Sequence, residues 1–320
     1  QTLEALFALS IGVLVLTDQV SIPIIIVLVF LNGAVAAVDL PTRLTFIVEM
    51  VGKRDLASAI PINNGLFNAA RFIGPALAGI IITSFGVAWP FILNGLSFLA
   101  GIWAILNIRP IYSFEADVGV HPLESLKSGL KFVFGHPKIF YFIILAFFSA
   151  ILIWPFQTLM PLVAERVFAS GANGYGSLLS AAGAGSLAGA IFTSAMSRRQ
   201  NQIRFVFLGL LISAICMIAF SLNRNFLLGH LLLAAAGFGI VIKISTLNTL
   251  VQIYSPDQMR ARVMAVYLTM FVGMMPVGNQ LAGIIAQNTS VMFTIGLGAA
   301  VMLAVGLIFY FRGVFTDLSS

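Results

Sequence analysis

Ten apolar stretches of about 15 to 27 residues, separated by short polar segments, constrain this chain more than any other feature. They run roughly over 3–17, 20–38, 57–83, 86–108, 138–163, 172–196, 203–222, 226–247, 262–287 and 289–311. About 20 apolar residues in a helix cross the ~30 Å hydrocarbon core of a bilayer. Inside hydrocarbon every backbone N–H and C=O must bond within the protein, which leaves helices and closed barrels. Barrel strands alternate apolar and polar residues, whereas these stretches are apolar all round. The expected fold is an all-α polytopic membrane protein with ten transmembrane helices present. Composition agrees: 60% of residues are hydrophobic and 9% charged, against roughly a quarter charged in a soluble domain. A soluble enzyme is excluded on these grounds.

The basic residues sort by side. Alternate loops and the C-terminal tail hold Arg43, Lys53, Arg54, Arg109, Lys127, Lys131, Lys138, Arg198, Arg199, Arg204, Lys243, Arg260, Arg262 and Arg312; the opposite loops hold Arg166 and Arg224. The positive-inside rule puts the larger set and the C-terminus in the cytoplasm, with the chain multi-pass in the cytoplasmic membrane. The net charge of +6 is thus explained by topology, and no nucleic-acid partner is expected. The single cysteine, Cys216, reads as a small buried hydrophobe. His121, His136 and His230 have no neighbours at metal-ligand spacing, so neither a metal nor a cofactor is expected. No Gly-rich phosphate loop is present either.

An internal repeat appears at an offset of 204. Leu77-Ala78-Gly79-Ile80-Ile81 matches Leu281-Ala282-Gly283-Ile284-Ile285, Gly74 falls on Gly278, Phe67 on Phe271, Thr42 on Thr246 and Gly33 on Gly237. The second half starts near Lys138 and has six stretches, so the same offset starts the first half about 66 residues before Gln1. The expectation is a fragment of a twelve-helix protein that lacks its first two helices. Residues 1–108 would be helices 3–6 of the N-terminal half, 109–137 a cytoplasmic linker, and 138–313 helices 7–12. In the linker, Leu123, Leu126, Leu130 and Val133 recur at helical spacing with Lys127 and Lys131 between them, which predicts an amphipathic helix.

Five segments carry a family resemblance. Asp39-Leu-Pro41-Thr-Arg43, Val51-Gly-Lys-Arg-Asp55 and Asn63-Asn64-Gly-Leu-Phe-Asn68-Ala-Ala-Arg71-Phe-Ile-Gly74-Pro75-Ala-Leu-Ala-Gly79 resemble the fourth and fifth helices of major facilitator superfamily exporters. His121-Pro122 through Gly135-His136-Pro137 resembles the central linker of the enterobactin-exporter and macrolide-efflux branch, and Ser255-Pro256-Asp257 through Arg260-Ala-Arg262 its penultimate cytoplasmic loop. Ala70 and Ala78 stand where the antiporter motif of drug exporters has glycine. The resemblance implies a secondary transporter, a monomer in the lipid bilayer, that exports a small amphiphilic molecule (drug-like, macrolide-like or siderophore-like) by alternating access, driven by protons. An uptake symporter on the same fold is the alternative, since fold does not decide direction.

Candidate transport residues follow from position. Arg71 falls near the middle of a long span, where an arginine costs roughly 2.5 to 3.5 kcal/mol on the insertion scale; it shares one helical stripe with Asn64, Asn68 and Pro75. Contact with substrate or coupling ion competes with a structural role at a helix break. Trp154 and Gln157 flank Pro155 in the first helix of the second half, as substrate contacts or as an interfacial anchor. Asn279 and Gln280 could line a cavity or bond neighbouring helices. Asp39 and Lys243 are repeat equivalents at cytoplasmic helix ends; with Arg43 and Arg262 they are candidates for a cytoplasmic gate, against the plainer reading of solvated charges. Gly74, Pro75, Gly79, Gly185 and Gly189 are candidates for helix packing and hinge motion.

Overall fold

The computed structural model describes residues 1–36, isolated positions between 38 and 82, and residues 84–108, 122–196 and 202–314. All regular structure among them is helical. The chain forms two compact units, residues 1–70 with 77–117 and residues 71–76 with 118–320.

The first unit contains α1 (Thr2–Leu16), α2 (Ile22–Ala36) and α3 (Ala88–Asn107). α1 and α3 pack through glycines, because a Cβ at Gly12 would lie 3.2 Å from the Ile92 amide nitrogen and one at Gly95 equally close to that of Leu9. In hydrocarbon no hydrophobic force drives helices together, so close backbone approach and van der Waals contact take its place.

The second unit holds α4 (Pro122–Gly135), α5 (Pro137–Phe148), α6 (Phe156–Arg166), α7 (Gly171–Met196), α8 (Ile203–Leu222), α9 (Phe226–Tyr254), α10 (Asp257–Phe271), α11 (Met275–Asn288) and α12 (Val291–Phe311). Among the described residues seven helical segments are long and apolar enough to cross a membrane: α3, α5 with α6, α7, α8, α9, α10 with α11, and α12; α1 and α2 are apolar but shorter. Most of the expected span 57–83 lies outside the described residues, so the count of ten is not reproduced among them.

These helices carry apolar side chains on both faces. Phe142, Leu145, Leu210, Phe220, Leu233 and Met302 are fully buried, while Leu222 and Leu227 are 79% and 76% exposed. Such a surface would aggregate in water and is at home in lipid. Helix starts are fixed locally. The Leu228 amide donates to the Asn225 side chain and the Phe293 amide to Ser290 Oγ, both at 3.1 Å, so each cap satisfies a first-turn N–H.

α9 is the axis of the unit, with α7 on one side and α8 on the other. A Cβ on Gly185 would run into the Ala234 carbonyl, and one on Gly237 into that of Ala182. At Gly189 it would lie 2.7 Å from the Phe238 carbonyl oxygen, and at Gly239 2.7 Å from the Ser213 amide. α9 also runs past the end near 247 that hydropathy suggests, to Tyr254. Lys243, expected at a helix end, therefore lies inside the helix. α4 packs on α10 through its glycine: a Cβ on Gly129 would lie 2.7 Å from the Arg262 carbonyl oxygen.

Candidate transport site

Two helices of the second unit are broken, and the breaks meet. Between α5 and α6 the chain makes a π-turn over Ser149–Ile153, where the Trp154 amide donates to the Ser149 carbonyl five residues back at 3.0 Å. Pro155 accounts for the widening, since it has no N–H and its ring crowds the carbonyl four residues earlier. Ser149 Oγ donates to the Leu145 carbonyl at 2.6 Å. Glycines on neighbouring helices close over the turn. A Cβ on Gly278 of α11 would lie 2.7 Å from the Ala150 carbonyl oxygen, and one on Gly298 of α12 would strike that of Leu152.

The second break separates α10 from α11. The Gly273 amide reaches the Leu268 carbonyl, five residues back, at 3.3 Å, and the Met275 amide donates to that of Val272 at 3.2 Å. Pro276 then opens α11 at a position where no intrahelical N–H is needed. The Trp154 ring meets Phe271, the last residue of α10, edge-on at 5.5 Å, and Tyr267 stacks on Phe271 at 6.1 Å.

Of the candidate substrate residues, Trp154 and Gln157 are both half-buried at the first break. Asn279 is brought to the level of the π-turn by Gly278 beside it. Its side-chain oxygen is buried and has no hydrogen-bond partner among the described residues. Gln280 is exposed. A cavity of about 170 Å³ adjoins the π-turn, walled by apolar groups such as Ile151, Leu152, Phe156, Leu281 and Val301; Trp154 and Gln157 do not line it. Arg71, Asn64, Asn68, Pro75 and Gly79 lie outside the described residues; Gly74 is exposed with open space around it.

The gate candidates occupy three separate settings. In the first unit Arg43 Nε pairs with Asp39 one turn earlier, and its terminal nitrogen bonds Glu4 of α1 at 3.3 Å. The Glu4 side chain is only 7% exposed, and this partner is separated from Arg43 by 39 residues, which no local pattern links. Arg262 donates to Ser128 Oγ of α4 at 3.1 Å. Lys243 of α9 is fully buried, and its backbone lies close to α8: a Cβ on Gly209 would lie 2.7 Å from the Lys243 amide nitrogen. Its Nζ and the nearby Thr246 Oγ1 are buried with no hydrogen-bond partner among the described residues. His230 ties the opposite end of α9 to α7, with Nε2 3.0 Å from Ser177 Oγ and Nδ1 2.8 Å from the Phe226 carbonyl. Among the described residues no group of three metal-ligating side chains occurs.

Apolar helices whose breaks meet, with buried polar groups that lack partners among the described residues, are an arrangement that membrane transporters use. The chain belongs to the major facilitator transporters: residues 1–316 match the family described as transmembrane secretion effector. It is 20% identical over 315 residues to the staphyloferrin A transporter of Staphylococcus aureus, covering 97% of this chain and 78% of that protein. It is 24% identical to the enterobactin exporters of Shigella flexneri and Escherichia coli O81, covering 72% of this chain and 54% and 55% of theirs. The chain thus spans little more than half the length of those exporters. In three dimensions it is similar to a bacterial homologue of the human lysosomal transporter Spinster, solved inward-facing and unoccupied. That similarity has a TM-score of 0.62 at 17% identity and covers 98% of this chain and 79% of the other. The family so matched is one of membrane transporters, which are not enzymes.

Proposed function

We propose that this chain is the larger part of a secondary exporter of the enterobactin-exporter and macrolide-efflux type, which moves a small amphiphilic molecule outward by alternating access. The observation that carries this reading is the pair of helix breaks joined by Trp154 and Phe271, because discontinuous helices in transporters expose backbone and side-chain groups to substrate and ion near the bilayer midplane. The names of the enterobactin-exporting relatives support the outward direction. The repeat offset supports counting the described spans among helices 3 to 12 of a twelve-helix whole, with residues 109–137 as the linker and the C-terminus cytoplasmic. Trp154 offers an apolar face and Gln157 and Asn279 orienting amides, with Gln280 at the margin. Arg71, Asn64 and Asn68 supply the polar stripe of the other half, Arg71 toward an anionic group or the coupling proton. Asp39 with Arg43, and Arg262, serve as the cytoplasmic gate residues of their respective units, whereas Lys243, buried inside α9, serves the transport path rather than the gate. Gly185 and Gly189 let helices lie close as the halves rock, with Pro75 and Gly79 as hinge positions of the other half; the open space around Gly74 does not support a packing role there. The transporter works as a monomer.

Arg71 tests the site. In the complete protein, Arg71→Ala abolishes transport while membrane expression stays near normal, and Arg71→Lys restores part of it, since the planar guanidinium fork is lost. Undiminished transport by the alanine variant would return Arg71 to a structural role. Single cysteines in a Cys216→Ser background test orientation: those at the exposed positions Arg224 and Asn288 label with an impermeant thiol reagent from outside intact cells, and one at Ser128 does not. The reverse pattern would invert the topology.

A further inference from the structure

The linker helix carries a feature that transport does not explain. Gly129 and Val133 are buried within the second unit, Gly129 against α10, whereas Lys127, Lys131 and Phe134 are exposed, the phenylalanine to 70%. These three recur at i, i+4 and i+7, so they form one stripe along the outer side of α4. The helix ends at Gly135, and Pro137 begins a membrane span two residues later. The stripe therefore lies where the chain enters the bilayer. Phe134 packs on Phe140 of that span at 5.6 Å. Beside it, Lys138 Nζ sits 5.7 Å over the Tyr254 ring at the end of α9. A cavity of about 290 Å³ opens there, lined by His136, Pro137, Lys138, Ile139 and Tyr254.

Charge identifies the occupant. None of Lys127, Lys131 and Lys138 forms an ion pair with a carboxylate of the described residues, and the one acid in α4 is Glu124 in its first turn. Three lysines with no carboxylate partner among the described residues, near an exposed aromatic ring at the mouth of a span, match the negative headgroups and the acyl boundary of a membrane leaflet. We propose that this seam binds the headgroup of an anionic phospholipid, with the phosphate between Lys131 and Lys138 and the Phe134 ring in the acyl boundary. The bound lipid fastens the linker helix to the membrane beside the second unit. That this is the cytoplasmic leaflet rests on the orientation proposed above; the binding itself does not.

The test uses the complete protein in symmetric vesicles with no ion gradient, so neither orientation nor transport direction enters the result. Photoactivatable analogues of phosphatidylglycerol and phosphatidylcholine are incorporated in turn, and labelled residues are mapped by mass spectrometry. The glycerol lipid labels residues 127–140 at least about fivefold more than the choline lipid, as expected where each lysine near the surface favours an anionic headgroup. The Lys131→Gln/Lys138→Gln variant loses that preference while keeping the elution profile of the parent. Phe134→Ser, with the lysines intact, lowers labelling by both lipids. Equal labelling by the two lipids, or an unchanged preference in the double variant, would overturn the proposal. Suppression of labelling by inorganic phosphate, without any added salt effect from chloride, would assign the seam to free phosphate and also overturn it. A reversed cysteine-labelling pattern alongside a retained lipid preference would defeat the orientation alone.

Discussion

Gly185→Val is expected to leave almost no folded transporter in the membrane. The valine Cβ would occupy the position of the Ala234 carbonyl on α9, and a backbone oxygen cannot rotate aside as a side chain can. α7 would have to lift from α9, which also opens the contacts at Gly189 and Gly237. Overpacking in a close-packed interior costs about 1 to 3 kcal/mol, and more where the obstacle is rigid; a membrane bundle has only such contacts to lose. The measurement is the elution profile and thermal midpoint of the complete protein in detergent. Gly189→Ala should lower the midpoint by less, because its nearest obstacle is at 2.7 Å, and Gly283→Ala, which meets nothing within 4 Å, should not lower it. Normal stability of Gly185→Val would mean that α7 and α9 do not pack as described.

Lys243→Met is expected to do the opposite to stability and to remove activity. The lysine is buried inside a membrane helix with an amine that lacks a hydrogen-bond partner among the described residues. An isolated buried charge costs several kcal/mol, and methionine fills similar space without it. The variant should therefore gain about 1 to 4 kcal/mol, seen as a rise of several degrees in thermal midpoint. Transport should fall at least about tenfold, because ionisable groups kept inside membrane helices at such cost serve the transport path. A variant that is less stable and still transports would show the amine to be a structural group with a partner of its own.

The helical class and most spans were legible because hydrocarbon leaves the backbone few options, so long apolar runs suffice. The end of α9 was not legible. Lys243, Thr246, Asn248 and Gln252 look like a boundary by hydropathy, yet the helix continues to Tyr254 because those groups turn inward or bond along the helix, as Gln252 does to the Asn248 oxygen at 2.6 Å. Pro155 announces a disturbance in its helix, but the π-turn that results depends on Gly278 and Gly298, more than a hundred residues away. Phe271 was visible only as a repeat match, and its meeting with Trp154 is a property of the fold. Glu4 was similarly hidden. It reads as a residue at a helix start until Arg43 is brought beside it.

Direction of transport is the most direct test of the central claim. The complete protein is expressed in cells and its membranes are prepared as everted and as right-side-out vesicles, each offered radiolabelled enterobactin and a radiolabelled macrolide. The proposed function predicts that everted vesicles with an acid interior accumulate at least one probe, that a protonophore collapses the accumulation, and that Arg71→Ala vesicles show none. Accumulation confined to right-side-out vesicles would contradict export and make the protein an uptake symporter.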